Sequence, residues 1–169
     1  MNIFSFTAHF GSEEDCRLHF KEQRDKEGVV CKRCGGTSHY WLQGKWSYEC
    51  KGCRFRTSLR SGTIMESSKL PFLVWYKTMF LMSCTKKGFS TNELQKQLGL
   101  KRYEPVWAMV HKLRRAMGNR DARYTLEGMI ELDEGYFSVA SKEIERGKGT
   151  RGRGAEGKQN VAVMAESTP

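Results

Sequence analysis

Apolar positions follow the helical period through the middle of the chain and the strand period on either side of it. In the middle, Phe72, Trp75, Tyr76, Met79, Phe80 and Met82 make one segment apolar over most of its girth. Ser68 is the expected cap, Pro71 suits a first turn and Gly88 a terminator, so a helix is predicted from Ser68 to about Lys86, buried between modules. Ser90-Thr91-Asn92-Glu93 opens a second, short helix with a capping box from Ser90 to Glu93, apolar Leu94 and Leu98, and a stop at Gly99. A third is predicted from about Pro105 to Met117, with Val106, Met109, Val110, Leu113 and Met117 in one stripe. Near the N-terminus, Ser12 caps an acidic first turn, and Cys16, His19, Phe20 and Gln23 recur at helical spacing, which assigns a helix to residues 1–28.

The strand period appears twice. Tyr40, Trp41, Trp46 and Tyr48 flank a turn at Gln43-Gly44-Lys45, a predicted hairpin within residues 29–66. Met129 to Phe137 reads as a strand with Glu131 and Asp133 on one face and Ile130 and Leu132 on the other. A loop is expected over the Gly- and Arg-rich stretch Lys142 to Lys158, and Val161 to Met164 starts another strand. Two strands neither bury a sheet face nor complete an active site, so residues 125–169 are expected to be only the start of a domain.

Charge sharpens this division. The 169 residues are 38% hydrophobic and 28% charged, with mean hydropathy −0.63, composition enough for a folded core. Twenty-nine Lys and Arg against nineteen Asp and Glu give +10, and a polyanionic partner follows from that excess. By segment the net charge is +3 over residues 1–68, +9 over 69–124 and −2 over 125–169, so the excess lies in the helical middle. The longest apolar stretch, Pro71 to Met82, holds Lys77 and is too short for a bilayer. The opening residues lack a basic leader, and a cytoplasmic protein is expected.

Four of the six cysteines form Cys31-x-x-Cys34 and Cys50-x-x-Cys53, with 15 residues between the pairs. Two residues between thiols let one turn aim both at a single ion, and two such turns complete a closed, structural zinc shell at about 2.3 Å per sulfur. Gly35 and Gly52 supply permissive backbone for those turns. Two disulfides and a rubredoxin-type iron site are the competing readings of the same ligands. Cys16 and Cys84 read as apolar packing residues.

A short capped helix, a Gly-containing turn and a longer basic helix outline a helix-turn-helix across residues 67–124. On that outline Lys101, Arg102, Lys112, Arg114 and Arg115 meet double-stranded DNA; the competing reading is a helical bundle with a solvated basic face. The fold class is α+β in several modules: a ribbon hairpin, the helical segment and the beginning of an α/β domain.

The order of these pieces resembles the zinc-ribbon transposases of bacterial insertion sequences that carry a DDE nuclease domain. The resemblance rests on Cys31-x-x-Cys34-Gly35, Cys50-x-x-Cys53, Ser61-Gly62-Thr63-Ile64 with Ser68, Phe89-Ser90-x-x-Glu93-Leu94, Trp107-x-Met109-x-His111-Lys112-Leu113-Arg114, and Gly128-x-Ile130-Glu131-Leu132-Asp133-Glu134-x-Tyr136. Lys32 departs from it, since that family often has Pro there.

The resemblance implies DNA transposition: binding of terminal repeats, then Mg²⁺-dependent strand cleavage and transfer by an RNase H-like sheet whose acids hold two ions. Asp133 matches the first acid, a magnesium ligand and catalytic residue; Glu131 and Glu134 are expected to be sheet-edge or solvated carboxylates. The second and third acids have no match, so the chain is expected to be an N-terminal fragment that binds DNA at the nucleoid without cutting it. The resemblance leaves a homo-oligomer open. The alternatives are a non-enzymatic zinc-ribbon and helix-turn-helix DNA-binding regulator, and a ribbon used as an interaction module.

Overall fold

The computed structural model describes residues 2–84, 88–121, 123, 125–138 and 158–167, in two units divided after Asp121. The first unit opens with two helices where one was expected: α1 (Ile3–His9) and α2 (Glu13–Glu27). The break follows from capping. Asn2 accepts the Ser5 N–H to start α1, whereas Ser12 and Asp15 form a reciprocal capping box that starts α2 afresh. Between them the non-helical Phe10 sets its ring 4.9 Å from Tyr76, while Phe6 stacks on Phe80 at 4.5 Å.

The predicted hairpin is present and gains a third strand. β1 (His39–Leu42), β2 (Ser47–Cys50) and β3 (Arg56–Ser58) pair antiparallel in that order, with Trp41 opposite Tyr48 and Tyr48 opposite Thr57. The turn at Gln43–Lys45 is a 3₁₀ turn that Trp46 closes in the left-handed region at φ +46°. The inner face of the sheet is anchored on α2: the Tyr48 hydroxyl donates to Asp25 at 2.8 Å, and Lys21 lies 4.9 Å over the Trp41 ring.

The next helix, α3, spans Phe72–Cys84, and Ser68 does not cap it. Ser68 Oγ instead accepts the Trp75 indole N–H at 3.2 Å. The cap comes from another helix: the Glu13 carboxylate of α2 accepts the N–H groups of Phe72 and Leu73 at 3.0 and 2.9 Å. The expected end near Lys86 lies outside the described residues. Its burial is as expected, with Phe72, Trp75, Tyr76 and Thr78 in the core.

Then α4 (Thr91–Gln97) starts on Ser90, which accepts the Glu93 N–H, one half of the capping box expected there, and the chain turns through Gly99 at φ +64° into α5 (Tyr103–Asp121). The latter is longer than expected at both ends. Val106, Met109, Val110 and Leu113 are buried, but Met117 departs from the stripe and is 53% exposed. These side chains join Cys16, Tyr48, Leu59, Met65, Trp75 and Leu94 in one core that the ribbon shares with the helices.

The second unit is a two-stranded antiparallel sheet, β4 (Met129–Ser138) with β5 (Lys158–Ser167), registered with Asp133 opposite Val163. Leu132, Val163 and Met164 are 64%, 52% and 59% exposed, so the described residues bury neither face of it. The predicted loop falls outside them apart from Lys158, which begins β5. An RNase H-like sheet needs more strands than these two supply.

Candidate metal centre and basic helical face

Both cysteine pairs sit on matching turns. The Cys31 carbonyl accepts the Gly35 N–H, and the Cys50 carbonyl accepts the Arg54 N–H, each at 2.9 Å. The residue after each second cysteine is left-handed: Gly35 at φ +71° and Arg54 at φ +58°. The sequence therefore assigned the second permissive position to the wrong residue, since Arg54 rather than Gly52 takes the positive φ. Backbone N–H groups of Cys34 and Arg33 hold the Cys31 thiol down to about 6 against some desolvation, and those of Cys53 and Gly52 lower Cys50.

The four sulfurs lie within 4.8 Å of one another, with Cys31 to Cys53 and Cys34 to Cys50 both at 3.5 Å. A tetrahedron with bonds of about 2.3 Å has edges of about 3.8 Å, so one ion fits among them. A disulfide needs about 2.05 Å, and all six cysteines are free thiols, which removes the disulfide reading. Cys34 accepts the Gly36 N–H, yet Cys53, Cys50 and Cys31 push its thiol up to about 12. Four adjacent sulfurs resist becoming anions together, and a dication resolves that repulsion. The donor set fits zinc, closed by four protein ligands and hence structural.

On the helical face, Lys101 and Arg102 are exposed in the turn just before α5, and Arg114 and Arg115 are exposed along it. Lys112 departs from this group. It is half-buried, and its Nζ donates to the Glu66 carbonyl at 2.7 Å. Trp107 and His111 pack ring against ring at 4.1 Å on the exposed side of α5; the sequence placed His111 on that surface and passed over Trp107. The signal for Trp107 was available, because it falls on the side away from the buried stripe. The ribbon was passed over as well: residues 28–62 carry seven basic side chains and one acid, Glu49, an excess hidden when the acidic α2 is counted with it.

Asp133 is exposed on β4, on the same face as Glu131, and its Oδ1 accepts the Glu134 N–H at 2.8 Å. Among the described residues, the four cysteines form the one group of three or more metal-ligating side chains close enough to share an ion. The carboxylates described around Asp133 therefore do not compose a two-ion magnesium site.

Residues 11–56 match the family model of the transposase zinc-ribbon domain. The chain is also 30% identical to an uncharacterized protein in transposable element ISH50 of Halobacterium salinarum, over 93% of this chain and 56% of that protein. No solved structure matches the chain. No helix among the described residues is long and apolar enough to cross a membrane.

Proposed function

We propose that this chain, similar in its ribbon and over most of its length to insertion-sequence proteins, acts in transposition and that its α4–turn–α5 segment docks on the terminal-repeat DNA of the element. The observation that carries this reading is the run of exposed cations, Lys101, Arg102, Arg114 and Arg115, on a capped short helix, a Gly turn and a long helix. The zinc centre has a supporting role: it fixes a ribbon whose inner face completes the core under those helices. Lys112 contributes less than its neighbours, since its ammonium is held on the Glu66 carbonyl. Docked on DNA, the protein resides at the nucleoid.

Strand cleavage and transfer belong to this reading as the activity of a complete acidic site. Asp133 is its first acid and a magnesium ligand there, beside further carboxylates that the described residues do not bring to it. Residues 1–169 by themselves bind DNA and do not cut it. The alternative reading, a zinc-ribbon DNA-binding regulator, shares the docking face and differs in lacking nuclease chemistry altogether.

The test is duplex binding by the zinc-loaded chain and by a variant with Arg114→Glu and Arg115→Glu. Loss of binding in the variant, with its helical content and zinc retained, is the expected result. Equal affinity for terminal-repeat DNA would refute the docking face.

A further inference from the structure

The ribbon carries a cationic cavity that the docking face of α5 does not use. It lies within the first unit, among α2, the turn before β2, the end of β3 with the stretch after it and the start of α3, as an open hollow of about 440 Å³. Arg17, Arg60 and Lys69 converge on it, with Trp46 and Phe72 as aromatic walls. The Arg60 and Arg17 guanidinium carbons stand 4.2 and 5.8 Å from the Phe72 ring centre, and Arg17 lies 5.4 Å from that of Trp46.

Cations held this close need a counter-charge. Glu13 is the acid beside them, and its carboxylate already accepts the Arg17 Nε–H and the N–H groups of Phe72 and Leu73. Three cations against that one carboxylate leave +2. Arg60 is half-buried; its desolvation, and to a smaller degree Arg17, lower its pKa, with Glu13 acting the other way. It donates to the Ser68 carbonyl, which leaves most of its five N–H donors for another acceptor. A group bearing two acceptor oxygens and negative charge beside a flat apolar body satisfies such a site, which is the chemistry of a nucleotide phosphate.

We infer that this cavity is a phosphate pocket that holds a backbone phosphate of the bound DNA, with the adjoining sugar or base edge against Trp46. The inference rests on the docking role of α5 and extends that surface to the ribbon. Ser68 and Lys69 join the two. They line this cavity and also a second one of about 330 Å³, which Pro105, Ala108, Met109 and Lys112 of α5 line as well. Lys69 thus stands between α5 and the cavity that Arg60 and Arg17 line.

The experiment uses the zinc-loaded full chain and two probes, inorganic phosphate and a terminal-repeat duplex. Phosphate is expected to move the Trp46 indole N–H and Arg60 Nε–H resonances in the parent, and Arg60→Gln to abolish the Trp46 shift. Duplex affinity is expected to fall about tenfold in Arg60→Gln and in Lys69→Gln, with the logarithmic salt slope reduced by about 1 in each. Lys69 is exposed at the rim, so its variant keeps the test valid should Arg60→Gln disturb folding. Unchanged duplex affinity in both variants, while Arg114→Glu with Arg115→Glu still loses DNA, overturns the pocket and leaves α5 standing. Phosphate shifts at Trp46 with duplex binding unaffected overturn the nucleic-acid occupant in favour of a free phosphate compound. Loss of duplex binding in Arg60→Gln alone, with the α5 variant unaffected, supports the pocket and sinks the α5 reading instead.

Discussion

Arg54 holds a left-handed backbone at the second cysteine turn, where its counterpart in the first turn is Gly35. An L side chain in that region costs about 1 kcal/mol, so Arg54→Gly is expected to raise the ribbon's unfolding midpoint in zinc-loaded protein. A lowered midpoint would mean that the Arg54 side chain stabilises the turn by more than its conformation costs. Cys50→Ser acts in the other direction, removing one of four ligands; near-stoichiometric zinc is expected in the parent and loss of ribbon structure in the variant, read by metal analysis and near-ultraviolet dichroism. The two remaining thiols differ sharply. Cys16 is fully buried, and burial, with Glu13 and Asp15 nearby, raises it to about 11, whereas Cys84 is exposed at the end of α3. Iodoacetamide at neutral pH is therefore expected to label Cys84 rapidly and to reach Cys16 only on unfolding. Metal-ligand spacing was legible because each pair is local. Cys84, expected to pack, is exposed instead, because the lack of a partner thiol does not say whether the core reaches that end of α3.

The capping of α3 shows how far element-scale structure can escape a sequence. Ser68 looked like the cap by position, but the true acceptor is Glu13, 59 residues away from Phe72. Local patterns identify which groups need partners, and tertiary packing decides which residue supplies them. Glu13→Gln is expected to cost about 1–2 kcal/mol in a denaturant titration, because the neutral amide loses the charge-assisted bonds to Arg17 and to the two N–H groups. The clasp between α2 and the ribbon gives a pH signature. Burial would raise the Asp25 carboxyl, but bonds from Lys21 and Tyr48 outweigh it and hold it below the usual carboxylate range. A lowered folded-state value means stability that is present above the ordinary aspartate pKa, about 4, and is lost as pH falls through the lowered one. The stability advantage of the parent over Asp25→Asn is thus expected at pH 6 and to shrink steadily on acidification below about pH 4. An advantage constant from pH 6 to pH 3 would contradict the clasp. The helical stripe of α5 was legible through Leu113 because its period is regular, whereas Met117, near the end of α5, escapes the core that covers the rest.

At the scale of the whole molecule, a zinc-fixed ribbon and helices α1 to α5 share a core in one unit, and the other unit holds the two-stranded sheet carrying Asp133. The chain spans about half the length of the transposable-element protein it resembles, 56% of it. Incubation of residues 1–169 with end-sequence DNA and Mg²⁺ or Mn²⁺ is expected to give complexes and no nicks. Nicking that vanishes in Asp133→Ala would show that a catalytic site is completed within this chain or across a pair of copies. The division into ribbon, basic helices and acidic strand was legible because each has its own period and charge; the ribbon's cations were masked by the acidic helix counted with them. The central claim is electrostatic docking on DNA, and its most direct measurement is the affinity of the zinc-loaded chain for a terminal-repeat duplex as salt is raised. About four phosphate contacts from α5 and the turn before it predict a log–log slope of roughly −3 to −4, steeper by about 1 for each further phosphate held by the ribbon. A slope near zero, or no complex at low salt, would contradict the account.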